Sequence, residues 1–232
     1  DMNFYVDEIY FYFIYFLLTF AKIFFTKEVF MLVTMKEILD RAKKDNYGVT
    51  SIMVDRSSLS YEDNIAQTKE TVKICRPLNI SVEAELGHVG QSEDYSSDGS
   101  DHFTKPEEAK KFVEETGIDC LAVAIGTAHG RYHGTPHIDF DLLKQITDVV
   151  DIPLVLHGGS GTGDENLRKA VKNGIQKVNL ATELVVAGKE ELETFIQDKN
   201  FDKWQLIPSF IKGYSDRLEH YVKLFDQENR AW

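Results

Sequence analysis

The chain has 232 residues, of which 43% are hydrophobic, and its formal net charge is −12. A chain of this length can bury a sizeable core, and one domain is the default expectation. The acidic balance argues against a nucleic-acid partner, because phosphate backbones are bound by basic surfaces. The two cysteines, Cys75 and Cys120, are too few for a disulfide framework and indicate a reducing, cytoplasmic setting.

The first 30 residues differ in composition from the rest of the chain. Residues 9–25 (IYFYFIYFLLTFAKIFF) are dense in aromatic side chains and lie at the short limit for a membrane span. We expect residues 1–30 to be a hydrophobic extension outside the fold and residues 31–232 to form one domain. A membrane anchor at residues 9–25 is the alternative, although membrane association is not what we expect.

From residue 50 onward, short apolar runs alternate with amphipathic stretches. The apolar runs predict five strands, at 51–55, 80–86, 120–126, 152–158 and 176–182. The amphipathic stretches predict helices at 61–75, 105–117, 139–150 and 164–174. Strands that alternate with helices in this way predict a parallel sheet.

Two parallel architectures compete, an open doubly wound sheet and a (β/α)8 barrel. A barrel collects its functional residues at the C-terminal ends of many strands. Polar residues lie at or just after the end of all five predicted strands: Asp55, Glu85, His129, His157, and Asn179 with Thr182. The pattern favours an α/β fold of the TIM (β/α)8-barrel type, with about five of the eight βα units recognisable.

Two histidines follow consecutive predicted strands, so the fold should bring them to the same rim. His129 ends LAVAIGTAHG and His157 ends IPLVLHG, and each is followed by glycine. Beside the carboxylates of Glu85 and Asp55 they form a candidate divalent-metal site, because zinc takes imidazole nitrogen and carboxylate oxygen. A hydrogen-bonded rim residue is the alternative for either histidine taken alone.

A glycine-rich loop follows the fourth predicted strand and precedes a predicted helix (HGGSGTGDENL, 157–167). Backbone N–H groups of such a loop can approach a phosphate, which the helix N-terminus also favours. A metal beside a phosphate cradle indicates a phosphorylated carbonyl substrate whose enediolate is stabilised by a Lewis acid. No lysine sits convincingly at a strand end, so a Schiff-base mechanism is not predicted.

Four stretches in order resemble the class II, metal-dependent fructose-bisphosphate and tagatose-bisphosphate aldolases. They are SVEAELGHVG, TKPEEAKKFVEETGIDCLAVAIGTAHG, IPLVLHGGSGTG and KVNLATEL, and the likeness covers roughly residues 50–190. The resemblance implies a lyase that cleaves a ketose 1,6-bisphosphate, most readily fructose 1,6-bisphosphate, into dihydroxyacetone phosphate and glyceraldehyde 3-phosphate. It also implies a homo-oligomer, either a dimer or a tetramer.

The resemblance assigns roles to residues of this chain. His129 and His157 match zinc ligands, and Asp55 and Glu85 match an alternative metal position, so zinc and a second divalent or monovalent cation are the implied cofactors. The implied contacts with the phosphorylated substrate are Gly130, Gly158, Gly159, Ser160, Asn179, Leu180, Ala181 and Thr182. Glu93 matches the glutamate of the family's mobile loop, which takes part in proton transfer.

The chain also departs from the family pattern. The family carries an early motif of the kind HLDHH, which supplies the general acid/base aspartate and a third zinc histidine, and this chain has no such motif. DRSS at 55–58 replaces the family's DGSH. Reduced activity is therefore expected. The alternatives that stay open are a non-catalytic remnant that binds sugar phosphate or metal, a tagatose-bisphosphate aldolase, and a membrane-tethered module.

Overall fold

The structure, a computed structural model, describes residues 51–78, 80–90, 102–130, 132 and 136–229. Its strands are β1 (Ser51–Val54), β2 (Ser81–Leu86), β3 (Cys120–Val123), β4 (Leu154–Leu156) and β5 (Ile175–Val178). Its α-helices are α1 (Tyr61–Cys75), α2 (Pro106–Thr116), α3 (Phe140–Thr147), α4 (Asp164–Lys172), α5 (Thr182–Phe195) and α6 (Leu206–Leu224). The predicted N-terminal extension lies outside these residues, and no helix among them could cross a membrane.

The five described strands form one parallel sheet in the order β1-β2-β3-β4-β5. Every strand therefore pairs with its neighbour in sequence, and a helix lies in each connection between them. A doubly wound sheet reverses its strand order at a switch point. The unbroken order follows the progression of a (β/α) barrel, and all the C-terminal strand ends lie along one edge.

The helices begin and end where local chemistry permits it. Ser60 caps α1, because its side chain accepts the backbone N–H of Asp63, and Asp139 caps α3 in the same way. Pro106 occupies the first turn of α2, where its missing N–H costs nothing. Gly117 closes α2 in the left-handed conformation, with φ of 68°.

The hydrophobic core lies between the sheet and the helices that cover it. Leu121, Val123 and Leu156 contribute strand side chains to it, while Phe112 and Leu143 reach it from α2 and α3. All five are fully buried. This layer fixes the sheet and thereby the relative positions of the polar strand ends.

All five predicted strands are shorter in the structure, and for the third and fifth the contacts show why. The third ends at Val123 because the backbone N–H of Ala124 donates to Oγ1 of Thr104, whose own N–H donates to the Ala124 carbonyl. The fifth ends at Val178, and Thr182, predicted within that strand, is instead the first residue of α5. The sequence reasoning did not identify α5 or α6.

Candidate active site

The site is built on the interior face of the sheet, where β2 presents two carboxylates. Side chains alternate along a strand, so Glu83 and Glu85 point to the same face. Glu83 is 6% exposed and Glu85 1% exposed, so both are buried acids that need partners. The partner they share comes from two strands away.

His157, one residue beyond β4, lies between these two carboxylates. Its Nδ1 is 2.7 Å from Oε2 of Glu85 and its Nε2 is 3.0 Å from Oε1 of Glu83. Burial acts to lower the pKa of His157, but the two carboxylates outweigh it and raise the pKa to about 9. In this arrangement His157 is an imidazolium at neutral pH, with both ring nitrogens donating.

Glu83 has two further partners on the interior face. Nζ of Lys177, in β5, is 3.1 Å from Oε2 of Glu83 and donates to Oδ1 of Asn179 at 2.6 Å. Burial acts to raise the pKa of Glu83, but the hydrogen bonds from His157 and Lys177 outweigh it and the pKa is lowered. Sγ of Cys120 is 3.5 Å from the same carboxylate, and burial together with that charge raises the thiol pKa to about 12.

Asp55 and Glu85 are joined through a serine that the sequence reasoning did not single out. Oγ of Ser57 is 2.6 Å from Oδ1 of Asp55, 3.0 Å from Oε1 of Glu85 and 2.9 Å from Nδ1 of His88. Partial burial acts to raise the pKa of Asp55, but hydrogen bonds from Ser57 outweigh it and lower the pKa. Val89 donates its backbone N–H to Glu85 at 3.0 Å, which fixes that carboxylate further.

His129 lies next to this cluster, at the end of the loop that follows β3. Its ring centroid is 5.9 Å from that of His157, and its backbone N–H donates to the carbonyl of Gly90 at 2.8 Å. The side chain is half-buried, whereas His157 is 3% exposed. The four residues predicted to bind metal, His129, His157, Glu85 and Asp55, are therefore linked as neighbours, with Ser57 between the two carboxylates.

The residues predicted to contact phosphate also come together, around the loop after β4 and the start of α5. Gly159 donates its N–H to the carbonyl of Asn179 at 3.1 Å, which joins the two segments. Oγ of Ser160 accepts the N–H groups of Ala181 and Glu183, both at 3.2 Å. Gly130, Gly158, Leu180 and Thr182 are half-buried nearby in sequence, at the same strand ends.

An acidic side chain of α5 also contacts the glycine-rich loop. Gly161 donates its N–H to Oε2 of Glu183 at 3.0 Å, and the other carboxylate oxygen lies 2.8 Å from Nη1 of Arg217. The loop is thus braced from α5, and through Arg217 from α6.

Glu93, the predicted proton-transfer residue, lies outside the described residues. Two further site residues were not predicted from the sequence. Glu83 and Lys177 were missed, but a period of two residues in VEAEL and KVN puts each on the same face as Glu85 and Asn179. Contrary to the expectation that no lysine lies at a strand end, Lys177 is the penultimate residue of β5, where it forms a salt bridge with Glu83.

The chemistry of these side chains fits a divalent metal. Two imidazoles and nearby carboxylates are the donors that zinc takes. Among the described residues no three such side chains are gathered around one point. Both ring nitrogens of His157 meet carboxylates. A ligating histidine commonly keeps one carboxylate as the acceptor of its second N–H. One of the two carboxylates that contact His157 can accept its N–H in this way, which leaves the other ring nitrogen for the metal.

Comparison with known proteins identifies the family of the chain. Residues 33–230 match the family model described as fructose-bisphosphate aldolase class-II. The Escherichia coli (strain K12) protein YdjI, described as uncharacterized, is 42% identical over 190 residues, which cover 80% of this chain and 66% of that protein. The chain thus spans about two thirds of the length of this curated relative.

Solved structures agree at the level of the fold. The crystal structure of the YdjI aldolase from Escherichia coli K12 has a TM-score of 0.69 and 36% identity, covering 85% of this chain and 68% of that one. A provisionally assigned fructose-1,6-biphosphate aldolase from Coccidioides immitis has a TM-score of 0.67 and 32% identity, covering 84% and 69%. The Campylobacter jejuni fructose-bisphosphate aldolase shares the fold. It is 22% identical with a TM-score of 0.64, covering 81% of this chain and 64% of that one. The chain belongs to the class II fructose-bisphosphate aldolase family, and its sheet is part of the TIM-barrel fold of that family.

Proposed function

We propose that this chain is a metal-dependent aldolase that cleaves fructose 1,6-bisphosphate to dihydroxyacetone phosphate and glyceraldehyde 3-phosphate. The observation that carries the proposal is the buried contact of His157 with Glu83 and Glu85. The ring centroid of His157 is 5.9 Å from that of His129, and the glycine-rich loop follows His157 directly. Buried acids and imidazoles that are tied together at a rim of strand ends are typical of a catalytic centre.

His129 and His157 would hold zinc, with Glu85 or Asp55 as the further ligand. Bound there, zinc supplies Lewis acidity that polarises the substrate carbonyl. Glu83 would orient His157, in the manner of other partners of metal ligands, and Lys177 holds Glu83 in place. Ser57 keeps the carboxylates of Asp55 and Glu85 beside each other.

The phosphate end of the substrate would lie on the glycine-rich loop. Gly158, Gly159 and Ser160 would approach it, and α5 directs its positive N-terminal end toward the same place. Asn179, Leu180, Ala181 and Thr182 form the other wall, and Gly130 follows His129. Glu93 is proposed to move the proton at the substrate carbon. A homo-oligomer in the cytoplasm and a second cation stay predictions, as does the domain division at residue 31.

Release of triose phosphates from fructose 1,6-bisphosphate, followed by an enzyme-coupled assay, tests the proposal. Turnover should require zinc, should stop on addition of a chelator and should return with zinc. His129→Ala and His157→Ala should abolish it, whereas His220→Ala, in α6 and paired with Asp164, should leave it unchanged. Zinc-independent turnover, or turnover that survives His157→Ala, would overturn the proposal. Tagatose 1,6-bisphosphate as the better substrate would reassign the specificity only.

A second candidate is a protein that binds sugar phosphate or metal without turnover. The closed contact of both His157 ring nitrogens with carboxylates favours it, because metal binding must displace one of them. Calorimetric binding of dihydroxyacetone phosphate without any release of triose phosphate from the bisphosphate would identify this case.

A further inference from the structure

The loop that carries His129 and the loop that follows His157 are in direct contact. The Cα of Gly158 lies against the backbone of Ala128 so closely that a Cβ there would overlap the Ala128 carbonyl. Gly158 also has a φ of 67°, which only glycine adopts readily. These two loops contain the predicted metal ligands on one side and the predicted phosphate cradle on the other.

A single hydroxyl bonds to both loops. Oη of Tyr132 accepts the backbone N–H of Ala128 at 2.5 Å and lies 2.8 Å from the carbonyl oxygen of Ala128. It also lies 3.0 Å from the carbonyl oxygen of Gly158. A tyrosine has one proton to donate, so it serves one of the two carbonyls at a time and links the segments in either state.

The ring of Tyr132 extends the contact to the far end of the cradle. A Cβ at Gly161 would lie 3.1 Å from Cδ2 of the ring, so the ring covers that glycine at van der Waals distance. The N–H of Gly161 is the group held by Glu183. Tyr132 therefore contacts Ala128 and Gly158, which are adjacent in sequence to His129 and His157, and its ring also lies beside Gly161 in the glycine-rich loop.

We propose that Tyr132 is a positioning residue that couples metal binding at His129 and His157 to phosphate binding at the glycine-rich loop. The inference rests on the proposed function, since it takes the ligand classes from there. When a ligand at one site changes the affinity of a second site, the second ligand changes the affinity of the first by the same factor. Without the hydroxyl, each loop keeps its own ligand groups, but binding at one loop no longer changes the affinity of the other.

The test measures the dissociation constant of zinc by competition with a chromophoric chelator, with and without saturating inorganic phosphate. In the wild-type chain phosphate should tighten zinc binding about 5-fold or more, the lower range of measured couplings. In Tyr132→Phe both ligands should still bind, but the ratio of the zinc dissociation constants without and with phosphate should fall close to one. Tyr61→Phe is the matched control, because that hydroxyl also donates to a backbone carbonyl, of Glu108 at 3.0 Å, away from the site.

Hydrogen exchange at the Ala128 amide provides a second measurement on the folded variant. The amide loses its acceptor in Tyr132→Phe and should exchange faster, while urea unfolding shows that the chain is still folded. Full coupling in Tyr132→Phe, equal loss of coupling in Tyr61→Phe, or unchanged Ala128 exchange would each overturn the inference. A wild-type chain that binds neither zinc nor phosphate would instead overturn the proposed function from which it starts.

Discussion

At the scale of single residues, the site depends on carboxylates that are buried but fully engaged. Glu83 meets His157, Lys177 and Cys120, and Glu85 meets His157, Ser57 and the N–H of Val89. Each acid is thereby compensated in a setting where an isolated charge would be very costly. The same contacts orient His157 before any ligand arrives.

The first prediction concerns the orienting role of Glu83. Glu83→Gln keeps the shape of the side chain but removes the charge that His157 and Lys177 face. Zinc affinity should fall about 10- to 100-fold, the usual effect of losing a carboxylate behind a ligand. A chelator competition titration measures it, with Glu191→Gln, whose salt bridge to Lys212 lies on the surface, as the control. Equal affinities in Glu83→Gln and wild type would show that Glu83 does not orient the ligand.

The second prediction is the pH dependence of stability without metal. The pKa of His157 is raised from 6.5 to about 9 in the folded chain, so the folded state binds the proton more tightly. The stabilisation is complete below pH 6.5 and is lost as the pH rises through 9, a change of about 3 kcal/mol. Urea unfolding of the chelator-treated chain between pH 6 and pH 10 should show it. In His157→Gln this component should be missing, and an identical pH profile in that variant would contradict the assignment.

At the scale of elements, the sequence predicted all five strands and the first four helices but not every boundary. The strand patterns of β2, which alternates, and of β4, which is continuously apolar, are recognisable because both strands are buried. The end of β3 depends on the hydroxyl of Thr104, 20 residues away along the chain, and no local pattern encodes that contact. The start of α5 depends likewise on Ser160, which captures two N–H groups of the first turn.

The same limit applies to the site. The proximity of Asp55, Glu85, His129 and His157 was predictable because each lies at or after the end of a predicted strand, beside recognisable motif residues. Ser57 and His88 have no such signal, since their role comes from the approach of β1 to β2. Lys177 could have been found because it lies two residues before Asn179 and so on the same face of the strand. That inference requires knowing that this face points to the interior.

The third prediction tests the packing of α5 against α6, which brings Arg217 to Glu183 and so braces the glycine-rich loop. A Cβ at Gly213 would overlap the Ala187 carbonyl and lie 2.6 Å from Cβ of Glu191. Gly213→Ala should therefore destabilise the chain by about 1–3 kcal/mol, although alanine is the better helix former. Chemical unfolding measures this, and Gly90→Ala, where a Cβ would meet nothing within 4 Å, is the control. A stabilised Gly213→Ala would mean that the two helices are not in this contact.

At the scale of the whole molecule, the described sheet has two ends instead of closing on itself. Ile52 and Met53 of β1 are 36% and 42% exposed, whereas β3 and β4 are buried. An exposed apolar edge strand is a template for pairing with another chain. Within the described residues, β1 pairs only with β2.

The fourth prediction follows from that edge. Ile52→Lys should reduce concentration-dependent association in sedimentation velocity experiments, because an edge lysine opposes strand pairing. Ile74→Lys is the matched control, since Ile74 is more exposed, at 66%, but lies on α1 and not on a strand. If both substitutions act equally, association would reflect general surface hydrophobicity and not the edge of the sheet.

The central claim is that His129 and His157 bind one metal ion beside the glycine-rich loop. Anomalous diffraction at the zinc edge, on crystals of the zinc-loaded chain, tests it most directly. We predict one strong peak within coordination distance of both imidazoles, with a carboxylate of Glu85 or Asp55 as a further ligand. A peak at other side chains, or the intact contacts of His157 with Glu83 and Glu85 and no zinc in saturating metal, would contradict the account.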